Sequence, residues 1–492
     1  MVAVCVFVAT TACGPGPAPD NRRPLASRPA QAGSPIRLHP VNPHYFLWRG
    51  QPTVVITSGE HYGAVLNLDF DYRKYLDTLA LEGLNGTRTF VGSYVETEGN
   101  FNIAGNTLNP AAGRYLAPWA RSSEPGYVDG GNKFDLTRWD EAYFNRFHDF
   151  LDYASQKGII VELSLFTPFY EESMWTMNPM NARNNVNGLG AIERQAVLTL
   201  TRSGGLLQVQ EALVRKIIAE VAAYDNVYVE ICNEPYVRDI AQDWQRHITD
   251  IAAEASRRLP SPVLLSQNVA NRSARVQNPH PAIGIFNFHY ATPPEAVDWN
   301  YHLNKVLGEN ETGFRGTDDE EYRTEAWEFI LAGGGLFNNL DYSFAIGHED
   351  GTYRIPEGQP GGGGRTLRAQ LRFLHEFLSG FDFIRMHPDA SVIREGVPDG
   401  GTARVLAEPG NSYAVYLRRS VTRRSRWRRW ATSWSEPRTL GIELPAGAWR
   451  TVWLDPVAGR EVKRESFQHG GGILRIGQPS WGEDVALEIR RE

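Results

Sequence analysis

Two stretches of this 492-residue chain set carboxylates where a strand would end. The first is Val227-Tyr228-Val229-Glu230-Ile231-Cys232-Asn233-Glu234-Pro235-Tyr236, a β-branched and aromatic run preceded by Asp225-Asn226 and stopped by its proline. Strand alternation puts Glu230, Cys232 and Glu234 on one face, with Glu234 at the C-terminal mouth. A carboxylate in that position is costly unless something uses it or pairs it. The second is Lys305-Val306-Leu307-Gly308-Glu309-Asn310-Glu311-Thr312-Gly313, where alternation again sets Glu309 and Glu311 on one side. Glu309 would lie a layer deeper than Glu311, and Glu230 deeper than Glu234. Two carboxyl groups delivered to one rim can divide the work of bond cleavage, one as proton donor and the other as nucleophile or base.

Bringing distant strands to a common rim requires a parallel sheet, and the chain alternates β and α patterns accordingly. Strands are expected at 52–62, 85–90, 159–166, 227–234, 262–267, 283–290, 305–311 and 334–344. Helical spacing falls at 71–83, 137–158, 206–223, 239–258, 318–332 and 365–380. A short hairpin at 37–50 would sit beneath them. The fold class is therefore α/β, a (β/α)8 TIM barrel over 36–390 followed by a small antiparallel β-sandwich over 391–492. A doubly wound sheet is the alternative, but no Gly-rich dinucleotide loop follows the first strand. The Gly361–Gly364 run lacks the Lys-Ser/Thr of a phosphate loop and reads as a flexible crossing.

Asn233-Glu234-Pro235 closing one strand and a Lys-led aliphatic run ending in Glu311-Thr312-Gly313 resemble the acid/base and nucleophile strands of retaining (β/α)8 glycoside hydrolases, the superfamily around the cellulase family. The resemblance spans about 40–390, with those two strands its specific parts. It implies Glu234 as acid/base, Glu311 as nucleophile, Asn233 as a sugar contact and Arg88 as the nucleophile's support. Asn287-Phe288-His289-Tyr290 resembles the His and Tyr pair of the superfamily's sixth strand. Here the two are adjacent, so alternation would turn one of them away. Tyr290 is expected on the nucleophile and His289 against the sugar. Glu230 would pair with an arginine inside the barrel.

Other expectations come from composition and loops. Ser58-Gly59-Glu60-His61-Tyr62 ends the first strand with polar groups, making Glu60 and His61 substrate-contact candidates beside an internal hydrogen-bond network. The irregular segments 92–137 and 168–205 are long enough to be functional. They would wall a pocket for short or terminal sugars, with Trp119, Tyr127, Tyr170 and Trp175 as stacking candidates. No metal-binding pattern is present and no cofactor is expected. A net charge of −7 argues against nucleic acid as a partner, and the resemblance implies a carbohydrate substrate. Ala12-Cys13-Gly14 and the Pro-rich residues behind it, within 1–35, resemble a lipoprotein leader and tether. Export to a bacterial envelope, with a lipid anchor at Cys13, or secretion is the corresponding expectation. The Arg- and Trp-rich segment 418–430 is a solvated loop or a contact with anionic envelope polymers. The competing function is an inactive barrel that only binds polysaccharide. Nothing in the sequence fixes the sugar or the oligomeric state.

Overall fold

A computed structural model describes residues 34–419 and 439–492. The leader, with Cys13, and segment 420–438, which takes in most of the arginine-rich stretch, lie outside the described residues. Three short strands come first, β1 (Arg37–Leu38), β2 (Phe46–Trp48) and β3 (Gln51–Thr53). The barrel strands and their helices then alternate: β4 (Val55–Gly59), α1 (Tyr72–Leu81) and β5 (Gly86–Phe90). A hairpin intervenes, β6 (Trp119–Pro125) with β7 (Asn132–Trp139), before α2 (Glu141–Gln156) and β8 (Ile160–Ser164). After α3 (Glu172–Met177) and α4 (Leu206–Val221) come β9 (Val227–Glu230), α5 (Gln242–Arg257), β10 (Leu265–Asn271) and β11 (Ile283–His289). The last units are α6 (Glu295–Asn300), β12 (Val306–Thr312), α7 (Asp319–Leu331), β13 (Leu336–Leu340) and α8 (Arg365–Ser379).

Eight of these strands form one parallel sheet in the order β4-β13-β12-β11-β10-β9-β8-β5. The seam between β4 and β5 is bridged largely by side chains. Asn85 accepts from the Ile56 amide at 3.0 Å and donates to the Val54 carbonyl at 2.8 Å, and Thr57 donates to the Gly86 carbonyl at 2.5 Å. Three groups thus stand in for ladder bonds where the barrel meets itself. The expected plug is present: Ile36, Phe46 and Trp48 pack on Val55, Ile160, Tyr228, Ile285, Val306 and Leu336, residues at the N-terminal ends of barrel strands. That seals the end opposite the carboxylates.

The structure corrects two readings. Segment 92–137 is not wholly irregular, because Trp119–Pro125 and Asn132–Trp139 pair as an antiparallel hairpin, and 168–205 contains α3. The Gly361–Gly364 run is a tight passage rather than a flexible crossing. A Cβ at Gly361 would meet the Gly313 carbonyl oxygen at 1.8 Å, and one at Gly363 would meet the Asp341 carboxylate at 2.1 Å. Glycine is required there by close approach.

The C-terminal strands form a six-stranded antiparallel sheet, including 402–408, 412–418, 447–455, 460–469 and 484–491, and a three-stranded one, 393–395, 439–444 and 472–477. Their shared core holds Val415, Ile442, Trp449, Trp453 and Leu487. The outer face of the larger sheet lies on α7, which is why α7 is buried on nearly all sides. Trp327 stacks on Tyr416 with ring centroids 5.2 Å apart, and Arg323 makes a bidentate pair with Asp484 at 3.0 and 3.1 Å.

Candidate active site

Alternation alone does not aim the functional side chains; local departures from it do. Strand β9 ends at Glu230, and Glu234 stands beyond it in the left-handed region (φ 37°, ψ 47°). Tyr290 (φ 52°), just past β11, and Tyr62 (φ 61°), just past β4, share that conformation. Each costs about 1–3 kcal/mol in a non-glycine residue and persists only where the surroundings impose it. The left-handed turn at Tyr290 lets neighbours His289 and Tyr290 both reach the same carboxylate. A register shift in the β12–β13 pairing between Glu309 and Thr312 does the same for β12. Asn310 and Glu311 both address the barrel interior, while Glu309 points outward to Glu325 of α7 and accepts the Ala291 amide at 2.6 Å. Glu309 is therefore not a deeper neighbour of Glu311 on the same face. Burial, with the charge of Glu325 beside it, pushes its carboxyl well above the usual range, so this pair retains a proton.

Glu311 is held on both oxygens. Tyr62 and Arg88 donate to Oε2 at 2.9 and 3.1 Å, and Tyr290 donates to Oε1 at 2.7 Å. Glu234 accepts from Tyr170 at 2.7 Å on Oε2, and His289 Nδ1 lies 3.0 Å from its Oε1 and 3.4 Å from Oε1 of Glu311. One oxygen of each carboxylate and the imidazole nitrogen all fall within 4.8 Å of one another. Both glutamates remain slightly open to solvent, at 8% and 6%. Burial would raise Glu311, but His289, Arg88 and the Tyr290 hydroxyl overcome it and hold the carboxyl well below its ordinary value. Burial would lower His289, yet the two carboxylates raise it to about 9. The same three side chains are, among the described residues, the one group placed closely enough to hold a cation. The two carboxylates favour the protonated imidazole at that position.

Beneath this pair lies a fully buried polar floor. Arg88 hydrogen-bonds Glu230 and also donates to Asn233 Oδ1 at 2.8 Å, with its ring neighbour Tyr62 4.6 Å from the guanidinium carbon. Asn287 and Asn310 each donate to both Glu162 and Glu230, and Ser164 donates to Glu230 at 2.8 Å. Burial and the charge of Glu230 raise Glu162 to about 7, whereas Arg88 outweighs burial at Glu230 and lowers it. Glu230 does pair with an arginine inside the barrel, and that arginine is Arg88. Asn233 also donates to the Tyr170 hydroxyl at 3.0 Å, so one amide links the arginine to the Glu234 side.

The other candidates divide. Tyr170 belongs to the site, but through its hydroxyl on Glu234 rather than as an open platform. Glu60 is fully buried and accepts from Thr107 and the amides of Gly63 and Ala64, so it shapes the turn after β4 instead of facing a substrate. His61 is tied to Glu96, 3.3 Å away, and its ring lies beside those of Tyr62 and Tyr342. Trp119, Tyr127 and Trp175 are core residues, not stacking faces: Trp119 is wholly buried, Tyr127 donates to the Met177 carbonyl and Trp175 to that of Ile192. Tyr62, Glu162, Asn287, Asn310 and Asn268, which contacts His289 Nε2 at 2.6 Å, were not anticipated. Their positions at strand ends or inside barrel strands were the available signal.

Residues 117–259, a span from β6 through α5 that includes Glu234, match the model of the cellulase family (glycosyl hydrolase family 5). No curated protein matches the chain. Among solved structures, a glycoside hydrolase family 5 protein from Bacteroides vulgatus superposes with a TM-score of 0.62 at 14% identity, covering 93% of this chain and 94% of that one. A second glycoside hydrolase gives 0.59 at 13% identity, over 94% and 97%. At such identities the likeness concerns the fold, and it runs through the sandwich as well as the barrel. The chain thus has the fold of those glycoside hydrolases, and its similarity to the cellulase family lies across the fourth barrel strand, on the segment that carries Glu234.

Proposed function

We propose that the protein is a retaining glycoside hydrolase that cleaves O-glycosidic bonds of short or terminal sugars by double displacement. The observation that carries this reading is the 4.8 Å limit on the gap between the Glu234 and Glu311 oxygens. Retaining enzymes hold their carboxyl groups about 5–5.5 Å apart, and inverting ones about 6.5–9.5 Å, to admit a water. Glu234 in its protonated form gives its proton to the glycosidic oxygen as the bond to the anomeric carbon breaks. Glu311, kept ionised by Arg88, Tyr62, Tyr290 and His289, attacks that carbon and forms a glycosyl ester. Glu234, now a carboxylate, takes a proton from water, which attacks the same carbon and releases Glu311. Tyr170 and His289 fix the Glu234 carboxyl on both oxygens, so it need not reorient between the two steps.

What supports the restriction to short or terminal sugars is the pair of walls. The β6–β7 hairpin and segment 168–205 rise from the C-terminal rim, where this fold carries its active sites. The small exposure of both glutamates suits a pocket better than an open cleft. Glu311→Gln and Glu234→Gln should each lower turnover of activated aryl glycosides by at least about 10³-fold while the protein stays folded. Retention of more than a tenth of wild-type activity in Glu311→Gln would overturn the assignment. Random internal cuts in a long polymer would count against the pocket.

A further inference from the structure

Behind the strand that carries Glu311, on the side away from the barrel interior, two carboxyl groups lie against each other. Glu309 of β12 and Glu325 of α7 are fully buried and hydrogen-bond one another. Arg315 Nη1 stands 3.5 Å from Glu325 Oε1, while its Nη2 donates to Glu321 at 2.6 Å. Among the described residues, neither Glu309 Oε2 nor Glu325 Oε1 accepts a hydrogen bond from an N–H or O–H outside the pair. One proton held between the two carboxyls satisfies both oxygens. The layer between a barrel strand and its helix is ordinarily apolar, and two carboxyls buried there are costly unless they bond something that leucine could not.

What they bond lies next to the nucleophile in sequence and in space. Glu309 Oε1 accepts the Ala291 amide at 2.6 Å, one residue past the left-handed Tyr290. Glu325 Oε2 accepts the Thr312 hydroxyl at 2.7 Å, one residue past Glu311. The β11–β12 ladder slips at this point: Phe288 pairs with Glu309 but His289 with Glu311, so Asn310 is passed over. Beyond the slip the Tyr290 amide donates to the Glu311 carbonyl at 3.1 Å, and the next amide, that of Ala291, finds the Glu309 side chain. Two successive amides thus fasten the Tyr290 turn to β12. The turn in turn sets the line along which the Tyr290 hydroxyl meets Glu311 at 2.7 Å. A tyrosine held left-handed at a cost of about 1–3 kcal/mol needs such fastening.

We propose that Glu309 and Glu325 are positioning residues: as a hydrogen-bonded carboxyl pair they hold the Tyr290 turn against β12 and so keep the Tyr290 hydroxyl on the nucleophile. Neither faces the barrel interior, where the substrate is met. This role rests on the glycosidase reading and extends the machinery of that site to a layer behind the sheet.

A double-mutant cycle with Tyr290→Phe separates positioning from mere support of the fold. Glu309→Met combined with Glu325→Leu removes both carboxyls at once, so that no buried charge is stranded. Glu309→Gln keeps an acceptor for Ala291 and a donor for Glu325. All are assayed on whichever 4-nitrophenyl β-glycoside of glucose, mannose, galactose or xylose wild type turns over fastest. The paired substitution should lower kcat/KM about tenfold, and Glu309→Gln should restore it to within about twofold of wild type. In the Tyr290→Phe background the paired substitution should cost no more than about a further twofold, because the hydroxyl it positions is gone. Losses that multiply in full across the cycle would overturn the proposal. So would a paired variant as active as wild type, or a Glu309→Gln as impaired as the pair. Should the paired variant not fold, Glu309→Met with Glu325→Gln, which keeps an acceptor for Thr312, takes its place in the same cycle. Turnover of none of these glycosides by wild type would instead sink the glycosidase reading itself, and this role with it.

Discussion

Arg88 in the barrel mouth and Arg323 at the sandwich contact are both buried against carboxylates, yet they are paired differently. Arg323 and Asp484 form a closed bidentate couple, completed by the Tyr416 hydroxyl at 2.9 Å on the same carboxylate. Both oxygens of Asp484 are met inside the protein, and the couple fastens one domain to another. Arg88 is shared among Glu230, Glu311 and Asn233, with Glu162 3.8 Å away. Negative charge exceeds what one guanidinium neutralises, and His289 supplies the balance from above. A satisfied pair holds structure together; an oversubscribed cation leaves an anion available for chemistry.

That contrast is most sharply broken by substituting each arginine. Arg88→Met leaves Glu230 buried and unpaired and should cost about 3–5 kcal/mol of stability along with nearly all activity. Arg323→Met should cost a similar stability by stranding Asp484, while kcat of the folded fraction stays within about twofold. Denaturant titration alongside kinetics on an aryl glycoside reads both. Loss of kcat in folded Arg323→Met would show that the sandwich contact feeds the site after all.

A smaller effect is expected from the two tyrosines on the nucleophile. Tyr62→Phe and Tyr290→Phe each delete one hydrogen bond to a charged group, about 1.5–3 kcal/mol and thus roughly ten- to a hundredfold in kcat/KM. Unchanged kinetics in both would mean that Arg88 and His289 suffice.

A further effect concerns pH. His289 has an unfolded value of about 6.5 and a folded one of about 9, so its stabilisation is complete below pH 6.5 and is lost as pH rises through 9. Between those values wild type should lose more melting temperature than His289→Gln does. Parallel curves would contradict the proton placed between the two glutamates.

Much of this was legible from the sequence because period-two alternation and the ends of β-branched runs locate strand mouths. Glu234, Glu311, Asn233 and Arg88 all lie at such positions and converge as expected. What was not legible is the backbone that violates alternation. Adjacent His289 and Tyr290 should face opposite ways, and a left-handed residue reunites them. Glu309 and Glu311 should face the same way, and a bulge parts them. The aromatic platforms were misplaced for a related reason. Burial of Trp119 and Trp175 depends on the hairpin and on α3, folded within segments that carry no strong period of their own.

The account turns on Glu311 as the residue that bonds to the sugar. Incubation with a panel of 2-deoxy-2-fluoro glycosides bearing activated leaving groups, followed by peptide mapping of the labelled protein, tests this directly. Label confined to the peptide containing Glu311, and absent from Glu311→Gln, is the predicted result. Label on Glu234 or Glu309 would contradict it, as would turnover of activated aryl glycosides with inverted anomeric configuration and no label on any carboxylate.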